Sequence, residues 1–117
     1  KVIFVENYNG VLPILRKNLN NIKPIFNYEI FEKNAYEKDT FLKLINKFDI
    51  IFLDPPYKDK DLEKILSNIK ETKILKESGI IIIHRHKKEI DTLPKDFEII
   101  EEKKYGISKI LFLNYLS

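Results

Sequence analysis

The run Phe48-Asp49-Ile50-Ile51-Phe52-Leu53, followed at once by Asp54-Pro55-Pro56-Tyr57, constrains this chain more than any other stretch. Apolar β-branched, aromatic and aliphatic residues without polar alternation read as a buried, parallel-type strand. Proline has no backbone N–H, so the two prolines end ladder donation and leave Asp54 at the strand's carboxyl end. Open α/β sheets bind ligands beyond that edge, so a carboxylate, two residues of fixed φ and an aromatic ring arrive there together. A strand-terminating Asp-Pro turn accounts for the first two residues about equally well on propensity alone. The apolar strand before the tetrad and the aromatic ring in its fourth place favour a site.

The other segments alternate around this strand. Lys1 to Val5 reads as a strand ending in Glu6-Asn7. Val11, Leu12, Leu15, Leu19 and Ile22 recur at helical spacing, with Pro13 tolerable in the first turn and Pro24 marking the exit. Ile25 to Phe31 is a second strand, and a helix carrying Phe41, Leu42, Leu44 and Ile45 follows Asn34-Ala35, with Asp39 or Thr40 as its expected N-cap. Beyond the tetrad, Leu62, Ile65, Leu66 and Ile69 form an amphipathic helix. Ser78-Gly79 breaks the chain before a wholly apolar strand, Ile80 to Ile83. Phe97 to Lys104 and Ser108 to Tyr115 form an antiparallel pair joined through Tyr105-Gly106. This order predicts a single α/β domain over residues 1–117, a sheet with helices on both faces and a terminal antiparallel hairpin.

Composition removes several classes. No apolar run approaches the ~20 residues of a membrane span. With no cysteine there is no disulfide framework and no cysteine zinc site, which suits a cytoplasmic protein. The net charge of +3 is too mild to indicate nucleic-acid binding. Local clusters are more suggestive: Lys58 and Lys60 beside the tetrad, Arg85-His86-Lys87-Lys88, and Lys103-Lys104. Scattered lysines on a solvated surface explain each cluster equally well. His84 and His86 lie two apart but lack a third ligand nearby, so no metal is assigned.

With Val5-Glu6-Asn7, Asn34-Ala35, Asp54-Pro55-Pro56-Tyr57 and Lys104-Tyr105-Gly106 in this order, the chain resembles the RsmD-type 16S rRNA guanine-N2 methyltransferases. The resemblance implies a Rossmann-like class I sheet, S-adenosyl-L-methionine as cofactor, and 16S rRNA or an assembling small ribosomal subunit as partner. It also exposes a departure. Family members carry a first strand and a glycine-rich turn that cradles the cofactor's methionine part, whereas Gly10, Gly79 and Gly106 are the only glycines here and none forms such a turn. The chain begins where the family's second strand begins. It is expected to be the carboxyl-terminal part of such an enzyme, lacking the strand that would lie between those ending at Glu6 and Asp54, and to need a missing amino-terminal segment or self-association. His84 stands where the family usually has Glu, and Asn34 where many relatives have Asp.

The resemblance assigns roles residue by residue. A guanine amine is a poor nucleophile because its lone pair is delocalised into the ring, so a site needs acceptors for the amine hydrogens. Asp54 and the Pro55 carbonyl suit this, Pro56 fixes the turn, and Tyr57 offers a ring for an unstacked base, a contact worth ~1–3 kcal/mol. Glu6 and Asn7 are expected at the cofactor's ribose, and Asn34 and Ala35 at its adenine, with Asp54 beside them. A solvated acid explains Glu6 as simply, and a helix cap explains Asn34. Lys58, Lys60, Arg85 and Lys87 are the RNA-binding candidates. Two alternatives remain open: a non-catalytic methyltransferase remnant, and a phosphoacceptor receiver domain with Asp54 as its acceptor.

Overall fold

The computed structural model describes residues 1–22, 27–44, 47–55 and 62–116. Its elements are β1 (Val2–Val5), α1 (Leu12–Asn20), β2 (Tyr28–Phe31), α2 (Lys38–Leu42), β3 (Phe48–Leu53), α3 (Leu62–Thr72), β4 (Leu75–His86), β5 (Phe97–Tyr105) and β6 (Ser108–Tyr115). The alternation and the closing hairpin follow the order read from the sequence. The fold is mixed α/β.

Two sheets hold these strands. β1 and β2 pair in parallel, while β3, β4, β6 and β5 form a second sheet in that order. β3 and β4 are parallel, and β6 is antiparallel to both β4 and β5. No described strand bridges β1 and β3, so the sheet has a gap where the resemblance places one.

The core lies between α2, α3 and one face of the second sheet. Leu62, Ile65, Leu66 and Ile69 recur at i, i+3, i+4 and i+7, so one stripe of α3 is buried against Ile81, Ile83, Leu111 and Leu113. Each fully buried aliphatic side chain contributes ~1.5–3 kcal/mol, which outweighs the weak propensity of so short a helix. The buried Asn68 on the same helix donates from Nδ2 to the Tyr36 carbonyl at 3.3 Å, joining α3 to the loop before α2.

Local details depart from the sequence reading. α2 ends at Leu42, and its Ncap residue, Glu37, makes no side-chain cap. Thr40, one of the two expected caps, instead lies buried inside the helix and donates to the Asn34 carbonyl at 2.5 Å. Ile25, Phe26 and Ile45, expected in the second strand and second helix, lie outside the described residues.

The expected break at Ser78-Gly79 is a bulge within β4. Phe48 pairs with Leu75, but Ile50 pairs with Ile80, so β4 carries the excess residues. Gly79 permits this because a Cβ there would lie 2.4 Å from Leu75 Cδ1 and 2.8 Å from the Lys76 carbonyl. The hairpin turn is Gly106-Ile107, one residue later than expected. Of these two residues only Gly106 has positive φ, +55°, the pattern of a type II′ turn.

Candidate active site

One cavity of about 1170 Å³ runs the length of β1 and β3, from Lys1 and Phe48 to the carboxyl ends of these strands and of β2. Glu6 and Asn7 follow β1, Asn34 and Ala35 follow β2, and Asp54 and Pro55 follow β3; all six line it. They come together because each closes a strand, although 28 residues separate Glu6 from Asn34 and 20 separate Asn34 from Asp54.

Glu6 is half-buried. Its backbone N–H donates to the Phe31 carbonyl at 3.2 Å, which extends the β1–β2 ladder by one bond and fixes where the carboxylate emerges. The Asn7 N–H donates to Glu6 Oε2 at 3.2 Å, leaving acceptor capacity for a ligand's hydroxyl groups. Asn34 builds a turn: its Oδ1 accepts from the Tyr36 N–H at 2.9 Å, and its carbonyl accepts from Thr40 and from the Glu37 N–H. It is therefore an Asx-type turn residue rather than the cap of α2, and its amide Nδ2 is the group available to a ligand.

Asp54 is exposed and Pro55 buried, so the carboxylate stands at the rim while the backbone after it is fixed. His84, on β4, reaches across to it, with Nδ1 2.9 Å from Asp54 Oδ1. A carboxylate only accepts, so Nδ1 carries the hydrogen; in the neutral ring Nε2 then accepts from the Ser108 hydroxyl at 3.0 Å. This Asp54–His84–Ser108 chain was not read from the sequence. The parallel pairing of β3 with β4 was the available signal, since it places the ends of the two strands side by side.

Other candidate positions fall differently. Pro56, Tyr57, Lys58 and Lys60 lie outside the described residues. Arg85 was expected on a surface loop facing phosphates, but it lies in β4 with its side chain fully buried. Alternation in β4 sends Ile81, Ile83 and Arg85 to the core face, and the guanidinium meets Asp91 through Nε at 3.0 Å and Nη2 at 2.7 Å. That geometry withdraws Arg85 from any RNA-facing set. Lys87 is exposed, and its backbone N–H donates to the Ile107 carbonyl.

The residues fit the adenosine part of a nucleotide cofactor: an acid for hydroxyl groups, an amide for a base edge and a small residue beside it. No glycine lines the cavity.

Comparison with known proteins gives a consistent result. A family model described as Conserved hypothetical protein 95 matches residues 1–114. An uncharacterized methylase of Rickettsia prowazekii is 40% identical over 81 residues, covering 68% of this chain and 34% of that protein. The ribosomal RNA small subunit methyltransferase D of Buchnera aphidicola is 32% identical over 90 residues, covering 76% of this chain and 46% of that protein. A solved structure of a conserved hypothetical protein from Streptococcus pyogenes has a TM-score of 0.79 at 26% identity, covering 96% of this chain and 70% of that one. The chain therefore spans less than half the length of these two curated relatives.

Proposed function

Because the chain belongs to the Conserved hypothetical protein 95 family, the RsmD-type methyltransferases, we propose that it forms part of an S-adenosyl-L-methionine-dependent enzyme that methylates the N2 amine of a guanine in 16S rRNA. Residues 1–117 act as one unit in this reading, and an rRNA substrate places the reaction in the cytoplasm, on free RNA or an assembling small subunit. The observation that carries it is the convergence of Glu6, Asn7, Asn34, Ala35, Asp54 and Pro55 at the strand-end part of one cavity.

The residues divide into two groups. Glu6 accepts from ribose hydroxyl groups, Asn7 holds the Glu6 carboxylate, and Asn34 and Ala35 border the adenine. The cofactor supplies an electrophilic methyl group. Asp54 and the Pro55 carbonyl accept the amine hydrogens, which localises the nitrogen lone pair and aims it; His84 holds the Asp54 carboxylate in place. Pro56, Tyr57, Lys58, Lys60 and Lys87 complete the RNA side in this reading. Family membership sets the receiver-domain alternative aside.

A second reading is a non-catalytic remnant, favoured by the glycine-free cavity and by the gap between β1 and β3. The test is transfer of tritiated methyl from S-adenosyl-L-methionine to undermethylated 16S rRNA and small subunits, with nucleoside mass spectrometry of the product. N2-methylguanosine that disappears in Asp54→Ala supports the enzyme. No transfer, with cofactor binding retained, supports the remnant.

A further inference from the structure

We propose that the tip of the β5–β6 hairpin is a docking platform for single-stranded RNA beside the target nucleotide. Tyr105 stacks on a flanking base, and Lys87, Lys88 and Lys104 meet the phosphates. The inference rests on the rRNA-substrate reading above and adds a surface that the methyl transfer itself does not require.

Strand register carries this tip to the candidate site. His86 pairs with Ser108 and Ser108 with Tyr105, so the three lie in one row across β4, β6 and β5. Directly opposed residues share a face and neighbours along a strand alternate; because Arg85 points to the core, the row faces the other way, as His84 does. His84 bonds the Ser108 hydroxyl at 3.0 Å and Asp54 Oδ1 at 2.9 Å, which joins the row to the carboxylate. The strand order β3-β4-β6-β5 sets three strand spacings between β3 and β5, or roughly 14 Å between Tyr105 and the end of β3. That separation is too long for contact with the reacting base. It suits a neighbouring nucleotide of the same strand.

The side chains at the tip fit a polyanion with accessible ring faces. Tyr105 and Ile107 are 61% and 60% exposed on either side of Gly106. A Cβ on Gly106 would meet nothing within 4 Å, so the turn stands clear of the rest of the chain. Among the described residues no ring, cation or hydrogen-bond partner meets the Tyr105 side chain. The Lys87 N–H donates to the Ile107 carbonyl at 2.8 Å, which holds the segment after β4 against the turn.

Lys87, Lys88 and Lys104 are exposed, and among the described residues none of them forms an ion pair. Of the nearby acids, Asp91 and Glu89 face Arg85, and Glu101 faces Lys103. Lys104 lies directly opposite Lys109, a like-charge pair that costs stability in an antiparallel ladder. Folding gains nothing from that placement, whereas binding a polyanion does.

A single exposed aromatic is ordinary on a protein surface. This one is bordered by unpaired lysines at the sheet end that carries Asp54. An acidic peptide would satisfy the lysines and leave the ring without a matched partner. RNA supplies phosphates and base faces together, and only an unpaired base exposes its face for stacking.

The test is fluorescence anisotropy of the 117-residue chain with a labelled, unstructured RNA of about 12 nucleotides containing one guanine. Tyr105→Leu, Tyr105→Phe and Lys104→Gln alter exposed side chains, and circular dichroism verifies that each variant keeps the wild-type fold. Tyr105→Leu is expected to weaken binding roughly tenfold, and Tyr105→Phe to stay within about twofold of wild type, because the ring rather than the hydroxyl makes the contact. Lys104→Gln is expected to reduce the salt slope by about 1. A 2-aminopurine placed near the guanine should be quenched by the wild type and not by Tyr105→Leu. Binding that Tyr105→Leu leaves unchanged overturns the platform, and so does failure of the folded chain to bind RNA. Equal competition by poly-glutamate overturns it in favour of an acidic protein partner, and equal competition by duplex RNA removes the stacking role. Methyl transfer to the same RNA separates the two readings. Binding through Tyr105 without transfer keeps the platform and removes the proposed reaction, whereas transfer whose KM is the same in Tyr105→Leu keeps the reaction and removes the platform.

Discussion

His84 Nδ1 lies 2.9 Å from Asp54 Oδ1, so the carboxyl ends of β4 and β3 are tied side chain to side chain at the rim of the cavity. Because the carboxylate accepts, the bond selects the ring tautomer with hydrogen on Nδ1 and turns Nε2 toward Ser108. In neutral-ring conditions, long-range ¹H–¹⁵N spectra of His84 should show a protonated Nδ1, and Asp54→Ala should shift the ring toward the Nε2–H form. The Asp54 side chain is 59% exposed, so the same substitution should change stability by less than ~1 kcal/mol. An unchanged tautomer in Asp54→Ala would separate His84 from the site.

Arg85 and Asp91 form a buried ion pair, 0% and 9% exposed, with Glu89 more distant at 3.7 Å. Removing Asp91 takes away the bidentate partner of a fully buried guanidinium, and removing Arg85 takes away the partner of a buried carboxylate. Asp91→Ala or Arg85→Met alone should destabilise the chain by about 3 kcal/mol in urea unfolding, whereas Arg85→Met combined with Asp91→Leu, which removes both charges and keeps apolar volume, should cost clearly less. Equal losses would show that packing rather than charge governs this site.

Tyr115 titrates above the usual tyrosine value of 10.0, because burial penalises the phenolate and Glu77 adds repulsion. Its hydroxyl donates to the Leu75 carbonyl at 3.1 Å. The raised folded value means that its stabilisation is complete below pH 10 and is lost as pH climbs through the folded value. Tyr115→Phe should therefore flatten the fall of Tm above pH 10. An identical alkaline fall in the variant would assign it to other groups.

Gly79 sits where β4 bulges, with Leu75 and the Lys76 carbonyl inside the space of any Cβ. Gly79→Ala should cost ~1–3 kcal/mol through overpacking, and Leu75→Ala in the same chain should recover part of that loss. Full additivity of the two losses would contradict the contact.

How far the sequence carried the structure depended on what each signal encodes. The period of Leu62, Ile65, Leu66 and Ile69 is set by burial against neighbours in the same layer, so that helix was legible. The gathering of Glu6, Asn34 and Asp54 was legible because each follows an apolar strand and the sheet orders strand ends. Arg85 was not: a cluster of basic residues suggests a surface, and only strand parity together with the distant Asp91 reveals a buried ion pair. Thr40 likewise looked like a cap, but its hydroxyl was drawn to the Asn34 carbonyl by the turn that Asn34 itself builds. The exposure of Ile50 and Phe52 was hidden because composition reports what a strand is suited to lie against, not whether that neighbour is present.

The central claim is that the ends of β1 and β2 hold the adenosine part of the cofactor. Calorimetry of S-adenosylhomocysteine and of adenosine against the 117-residue chain, with folding verified by circular dichroism, tests it most directly. The account predicts saturable binding of both ligands with similar affinity, since the cavity offers no glycine cradle for the amino-acid end. Glu6→Ala should weaken both by about tenfold, or ~1.4 kcal/mol. Absence of binding by a folded chain, or binding that Glu6→Ala leaves unchanged, would contradict it.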